Sequence, residues 1–150
     1  MDTSFTGQAE YTLDAKSRLT VPARYRGSLE GGVVLAKDIE PCVALWPSAG
    51  YDDFRRSALQ GVHPLSQRAR KIKTFLAANS QPAALDGAGR VPMPTFLMEH
   101  GSLGREVTVV GAGDHLQVWD RQAWADYNRQ LAEDIFTISV GFDDITADAQ

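Results

Sequence analysis

Leu13-Asp14-Ala15-Lys16-Ser17-Arg18-Leu19-Thr20-Val21-Pro22 returns as Leu85-Asp86-Gly87-Ala88-Gly89-Arg90-Val91-Pro92-Met93-Pro94, at a constant offset of 72. A second echo follows each copy, Val43-Ala44-Leu45-Trp46-Pro47 and Leu116-Gln117-Val118-Trp119-Asp120, at an offset of 73. Tyr51 and Phe54 match Trp124 and Tyr127 at that same offset. One residue of slippage over half a chain is the mark of a duplicated unit with one loop insertion. Two copies are too few for a solenoid, whose stacked repeats need at least about three neighbours to bury a continuous core. The reading is two related halves that pack together or share one core.

Working outward, both halves show the same order of elements. Phe5 to Leu13 alternates loosely between apolar and polar, as a half-buried strand does. Asp14 to Ser17 is turn chemistry, and Leu19 to Val21 resumes a strand. Pro22 suits the first turn of a short helix over Ala23 to Ser28, which Gly31-Gly32 ends. Val33 to Ala36 and Cys42 to Trp46 predict two strands around a polar turn at Lys37 to Pro41. Ser48 is the expected N-cap of a helix running to about Gln60. In the second half, Ala83 to Leu85 and Val91 to Met93 flank the Asp86 turn, and Pro94 opens a helix ending near Gly101. Val107 to Val110 and Leu116 to Trp119 form a hairpin, after which Asp120 caps a last helix with Trp124, Tyr127 and Leu131 in one stripe. Between the halves, Pro64 to Asn79 reads as a helix capped by Ser66. Ala69, Ile72 and either Phe75 or Leu76 make its apolar face, and Arg68, Arg70, Lys71 and Lys73 its basic one. Residues after about Val140 are acidic and expected to fray.

The chain has 150 residues with 43% hydrophobic content, enough for one ordinary domain or two small ones. No apolar run approaches the roughly 18 residues of a membrane span. Met1-Asp2-Thr3-Ser4 lacks a basic and apolar leader, so no membrane or secretory role is expected. Cys42 stands alone, which excludes a disulfide framework and fits a reducing compartment. Net charge is −4, yet its distribution is uneven. Residues 1–75 carry 11 Lys/Arg against 8 Asp/Glu, and residues 76–150 carry 4 against 11. Such asymmetry suits a polyanion-binding face opposed to an acidic one.

The first turn concentrates the cations. Lys16 and Arg18 on the turn, with Arg24 and Arg26 a few residues on, present four positive charges from one short stretch. Lys and Arg neutralise phosphates and release counterions, and Arg also grips guanine bidentately. Asp14 is read as structural, because a turn-initiating Asp accepts from backbone amides two residues on. The bland alternative is a solvated hairpin tip on which Arg18 pairs with Asp14.

Other chemistry is not expected. His63, His100 and His115 lack ligand spacing with Cys or Glu, so no metal is assigned. Asp114-His115 beside Cys42 is read as a turn and a strand core rather than a nucleophile with its base. Gly111-Ala112-Gly113 leads into a strand and cannot cradle a phosphate as helix-opening loops do. Trp46, Trp119 and Trp124 are read as core. No cofactor, no small-molecule substrate and no enzymatic activity are expected.

The run Phe5-x-Gly7-x-x-x-Tyr11-Thr12-Leu13-Asp14-Ala15-Lys16-Ser17-Arg18-Leu19-x-Val21-Pro22-Ala23-x-Tyr25-Arg26, the second Asp86-Gly-Ala-Gly-Arg90 turn, and Val110-Gly111-Ala112-Gly113-Asp114 before the Trp119 strand together resemble the MraZ family of the AbrB/SpoVT superfamily. The resemblance covers roughly residues 5–140. It implies an α+β, mainly β fold: a pseudo-twofold, AbrB-like swapped-hairpin β-barrel built from two repeats, with peripheral helices. The expected plan is a first repeat at 5–54, a helical connector at 55–79, a second repeat at 80–128, and the end of a helix with an acidic tail at 129–150. It further implies a cytoplasmic, nucleoid-associated regulator that binds double-stranded DNA as a ring-shaped homo-oligomer, on tandem promoter repeats of the division and cell-wall gene cluster. Lys16, Arg18, Arg24 and Arg26 are the expected DNA contacts; Asp14, Asp86 and Arg90 are turn residues. Two positions depart from the pattern: Ser17 stands where the family has glycine, and Ala88 stands where the first copy has Lys16. The alternative is an AbrB-like scaffold or antitoxin-type protein whose main partner is another protein.

Overall fold

The computed structural model describes residues 4–148, with side chains through residue 139. Its elements are β1 (Gln8–Thr12), β2 (Arg18–Thr20), α1 (Ala23–Arg26), a 3₁₀ turn (Gly27–Leu29), β3 (Val33–Lys37), β4 (Val43–Pro47), α2 (Ser48–Ala58) and α3 (Gln67–Ala78). The second half supplies β5 (Ser80–Ala83), β6 (Arg90–Pro92), α4 (Thr95–Gly101), β7 (Glu106–Gly111), β8 (Leu116–Asp120) and α5 (Arg121–Asp148). Contacts divide the chain into two compact units, 1–120 and 121–150.

The strands of the first unit are antiparallel throughout. Six form one sheet in the order β1-β7-β8-β4-β3-β5, and β2 pairs separately with β6. That order reads the same when the halves are exchanged, since β1, β3 and β4 correspond to β5, β7 and β8. Each half lends its first strand to the other half's hairpin: β1 pairs with β7, and β5 with β3. Ala44 lies opposite Gln117 at the centre, with Val43↔Val118 and Leu45↔Leu116 on either side. The 73-residue echo is therefore a pairing as well as a repetition.

One hydrophobic core serves both repeats. Leu19, Val21, Val91 and Met93 of the ribbon bury with Leu35 and Leu45 of one hairpin and Val107, Val109, Leu116 and Val118 of the other. Burial of each such side chain stabilises by about 1.5–3 kcal/mol. A satellite cluster of Ala36, Ala44, Trp46 and Tyr51 lies on the opposite sheet face. There the Tyr51 hydroxyl donates to the Leu76 carbonyl at 2.8 Å, tying α2 to α3. Gly111 admits the N-terminal segment, because a Cβ there would lie 2.4 Å from the Thr6 backbone nitrogen.

Several local expectations are corrected. Ser48 is the first residue of α2 and not its N-cap; Pro47 occupies the cap position without a side-chain bond. The Ser48 N–H is instead used by the Gly32 carbonyl at 3.1 Å, which joins the helix start to the preceding loop. The strand before the second turn is Ser80–Ala83 rather than Ala83 to Leu85, because it must register with β3 as far as Ala36↔Ser80. The basic helix is capped as expected, with Ser66 Oγ accepting from Ala69 N, and Leu76 rather than Phe75 is buried. In the second unit, α5 stays helical to Asp148 where fraying after Val140 was expected. The last residues of the expected acidic tail, 149–150, and residues 1–3 lie outside the described residues. Among the described residues no helix is long and apolar enough to cross a membrane.

Candidate nucleic-acid interface

The two Asp turns are built alike, bond for bond. Asp14 Oδ1 accepts from the N–H groups of Lys16 and Arg18, both at 2.9 Å. Its Oδ2 accepts from Arg18 Nε at 2.7 Å. Asp86 does the same for Ala88, Arg90 and Arg90 Nε at 2.9, 2.9 and 2.8 Å. Hydrogen bonds to the ionised form, first the Arg18 N–H and then its side chain, hold Asp14 below the usual carboxylate range. The N–H and side chain of Arg90 act likewise on Asp86. The turn thus needs an Asp, whose short side chain reaches both amides and still fixes an arginine.

The fourth turn residue is left-handed in both copies: Ser17 has φ +57° and Gly89 φ +76°. An L-residue there carries a steric cost that glycine escapes. The carbonyls of these two residues then clasp the opposite repeat. Met93 N donates to Ser17 O at 3.0 Å and Val21 N to Gly89 O at 2.9 Å. Between them β2 and β6 meet at Leu19↔Val91. In that antiparallel ribbon the two turns stand at opposite ends.

This topology divides the expected cluster of four cations. Lys16 is exposed at the first turn, and Arg18 stands beside it, held by Asp14 with 27% of its side chain exposed. Arg24 and Arg26 are carried away from that turn, because β2 is only three residues long and Pro22 leads the chain into α1. Arg24 reaches the Thr6 carbonyl at 3.0 Å, its guanidinium 4.6 Å from the Tyr25 ring centre. Arg26 donates to the Val21 carbonyl at 3.0 Å and passes over Gly89, where a Cβ would lie 2.2 Å from its Nε. Arg26 therefore belongs spatially to the second turn. At the positions equivalent to Lys16, Arg24 and Arg26 the second half carries Ala88, Phe96 and Met98. The asymmetry lies in those side chains and not in the turn geometry.

A cluster that the sequence reading did not assemble lies elsewhere. His115 Nδ1 is 2.7 Å from Asp114 Oδ1 and its Nε2 3.1 Å from Asp38 Oδ2. Gln117 donates to the same Asp38 oxygen at 3.2 Å, and the imidazole stacks on Trp46 at 4.2 Å and 8°. Burial alone would depress the imidazole, but the bonds to Asp38 and Asp114 outweigh it and raise its pKa. Asp38 is likewise lowered, burial opposing and His115 prevailing. Only the 77-residue separation of Asp38 and His115 hid this. Burial pushes the Cys42 thiol far up, which leaves it an inert core residue. Among the described residues no three His, Cys, Asp or Glu form a metal-holding group.

A family model described as "MraZ protein, putative antitoxin-like" matches residues 4–71 and 75–139. A protein of Nitrosococcus oceani named transcriptional regulator MraZ is 35% identical over 135 residues, 87% of this chain and 88% of that one. Its namesake in Mycobacterium tuberculosis is 33% identical over 133 residues, 89% and 92% of the two chains. That of Limosilactobacillus fermentum is 28% identical over 142 residues, 95% and 99%. These matches, which cover most of the chain, place it in the MraZ family of transcriptional regulators.

Proposed function

We propose that the chain is a sequence-specific DNA-binding regulator acting as a ring-shaped homo-oligomer on tandem promoter repeats of the division and cell-wall gene cluster. The supporting observation is the first turn, where Asp14 engages the Arg18 guanidinium through its Nε–H alone. A guanidinium has five N–H donors, so four remain on a side chain already held in place. Lys16 beside it supplies a phosphate-neutralising charge. The ion pair is thus read as orientation: Asp14 reduces the rotamer freedom that Arg18 must lose on meeting a guanine. Arg24 and Arg26 serve as further cations outside the first turn, Arg26 beside the second one over Gly89. Arg90 and Asp86 hold the second turn.

The two AbrB-like repeats, 5–54 and 80–128, close as a swapped-hairpin barrel in this reading, with 55–79 connecting them. The location is cytoplasmic and nucleoid-associated. One turn offers too few cations to overcome a net charge of −4, so several copies must act together. With three or four turns engaged, about 6–10 phosphates are neutralised and affinity falls by roughly 10³–10⁵ between 50 and 200 mM salt.

The test is footprinting and titration on the promoter of the protein's own gene neighbourhood. A discrete protected site is expected, with steep loss of binding when one repeat is deleted or the spacer is lengthened by half a helical turn. Equal affinity for a single repeat overturns the cooperative reading. An absence of any discrete site favours the scaffold or antitoxin-type alternative.

A further inference from the structure

We infer that the acidic, apolar end of α5 from one copy docks on the basic surface of α2 and α3 of a second copy. The inference rests on the homo-oligomer reading above and names the surfaces that join its copies. On α5, Leu131, Ile135 and Ile138 follow spacings of four and three, which Phe142 and Ile145 continue in the sequence. That is the seam of a helix that packs along another helix. Ile135, Phe136 and Ile138 are 57%, 73% and 62% exposed. From Gln130 onward the chain carries Glu133, Asp134, Asp143, Asp144 and Asp148 and no Lys or Arg.

The complementary surface is α3, which carries Arg68, Arg70, Lys71 and Lys73 and no carboxylate over its 12 residues. Among the described residues, Arg68, Lys71 and Lys73 make no ion pair. A cavity of about 330 Å³ between α2 and α3 is lined by Leu59, Leu76 and Ala77 together with three cations, Arg55, Arg56 and Lys73, and one carboxylate, Asp52. Asp52 and Asp53 answer Arg55 at 3.8 Å and Arg56 at 3.0 Å, and leave Lys73 unanswered. A second hollow on α3 joins Arg70 and Lys71 to Phe75, itself 39% exposed.

The mixture of apolar lining and cations selects the occupant. DNA would meet the charges and leave the half-buried Leu59 and the exposed Phe75 without an apolar partner. Pairing of α5 with α5 would oppose like charges along both helices. An acidic helix with an apolar stripe satisfies both requirements. At 1.5 Å per residue, the 15 residues from Leu131 to Ile145 span about 22 Å against about 18 Å for α3.

The experiment is reciprocal charge reversal read by sedimentation velocity at low and high salt. One full-length variant carries R70E, K71E and K73E; the other carries E133K, D134K and D143K. Each alone is expected to self-associate at least about tenfold more weakly than wild type, with helix content unchanged by circular dichroism. An equimolar mixture restores the wild-type mass, because each variant's α5 then matches the other's α3. If both variants keep the wild-type mass, the surfaces are wrongly assigned while the homo-oligomer stands. If both weaken and the mixture does not recover, complementarity between copies is refuted. A wild-type protein of single-chain mass overturns the homo-oligomer and this contact together.

Discussion

Arg18 donates its Nε–H to Asp14 Oδ2 at 2.7 Å, four residues upstream in the same turn. A surface pair of this kind contributes little to stability. Its consequence is directional, because it fixes an arginine at the tip of a strand-turn-strand unit.

Arg18→Ala is expected to leave the melting temperature nearly unchanged and to weaken operator binding by about 1–3 kcal/mol per engaged copy. Asp14→Ala, which keeps the cation and frees its orientation, should also weaken binding and additionally lower stability, because the N–H groups of Lys16 and Arg18 lose the oxygen that accepts from both. Fluorescence anisotropy beside thermal melts separates these effects. Wild-type affinity in Arg18→Ala would remove the turn from the interface.

Arg90→Ala should spare DNA binding. Ala88, Phe96 and Met98 give the second turn no cation from its own half at the positions of Lys16, Arg24 and Arg26, and the Arg26 that lies over Gly89 is held by the Val21 carbonyl. The pair of Arg90 with Asp86 is even more exposed than that of Arg18 with Asp14, so loss of Arg90 is expected to leave the melting temperature nearly unchanged and DNA binding normal. A stable, assembled variant without DNA affinity would show that the second turn reads DNA as well.

The left-handed positions make a matched pair. Ser17→Gly relieves φ +57° and should stabilise by roughly 0.5–1 kcal/mol, after allowance for the freer unfolded chain. Gly89→Ala should destabilise by about 1–2 kcal/mol, as φ is +76° and Arg26 crosses that point. Urea midpoints measure both, and a Gly89→Ala protein as stable as wild type contradicts the geometry.

His115 makes stability depend on pH in a stated direction. Its folded pKa is raised, so the contribution is full below the ordinary histidine value and lost as pH rises through the folded one. Asp38, whose folded pKa is lowered, loses its contribution as pH falls below the ordinary carboxylate range. Wild type should therefore weaken on the alkaline side, and His115→Gln should flatten that limb. Parallel profiles for the two proteins from pH 6 to pH 9 would exclude the cluster as the cause.

The sequence by itself determined the duplication, both Asp turns, the hairpins and the capped basic helix. Those features depend on neighbours a few residues apart: an Asp reaching its own amides, a serine capping its own helix, alternation within one strand. Tertiary structure alone decided that each half's first strand completes the other's sheet, so that β5 lies at Ser80–Ala83, set by its partner β3. It also decided that Arg26 leaves the first turn to lie over Gly89. Only folding brought Asp38 to His115, and only folding assigned Ser48 to the Gly32 carbonyl rather than to a cap. The difference is physical, since local backbone bonding is written in adjacent residues. The partner of a strand, a cation or a buried imidazole is chosen by whichever distant segment closes the shared core.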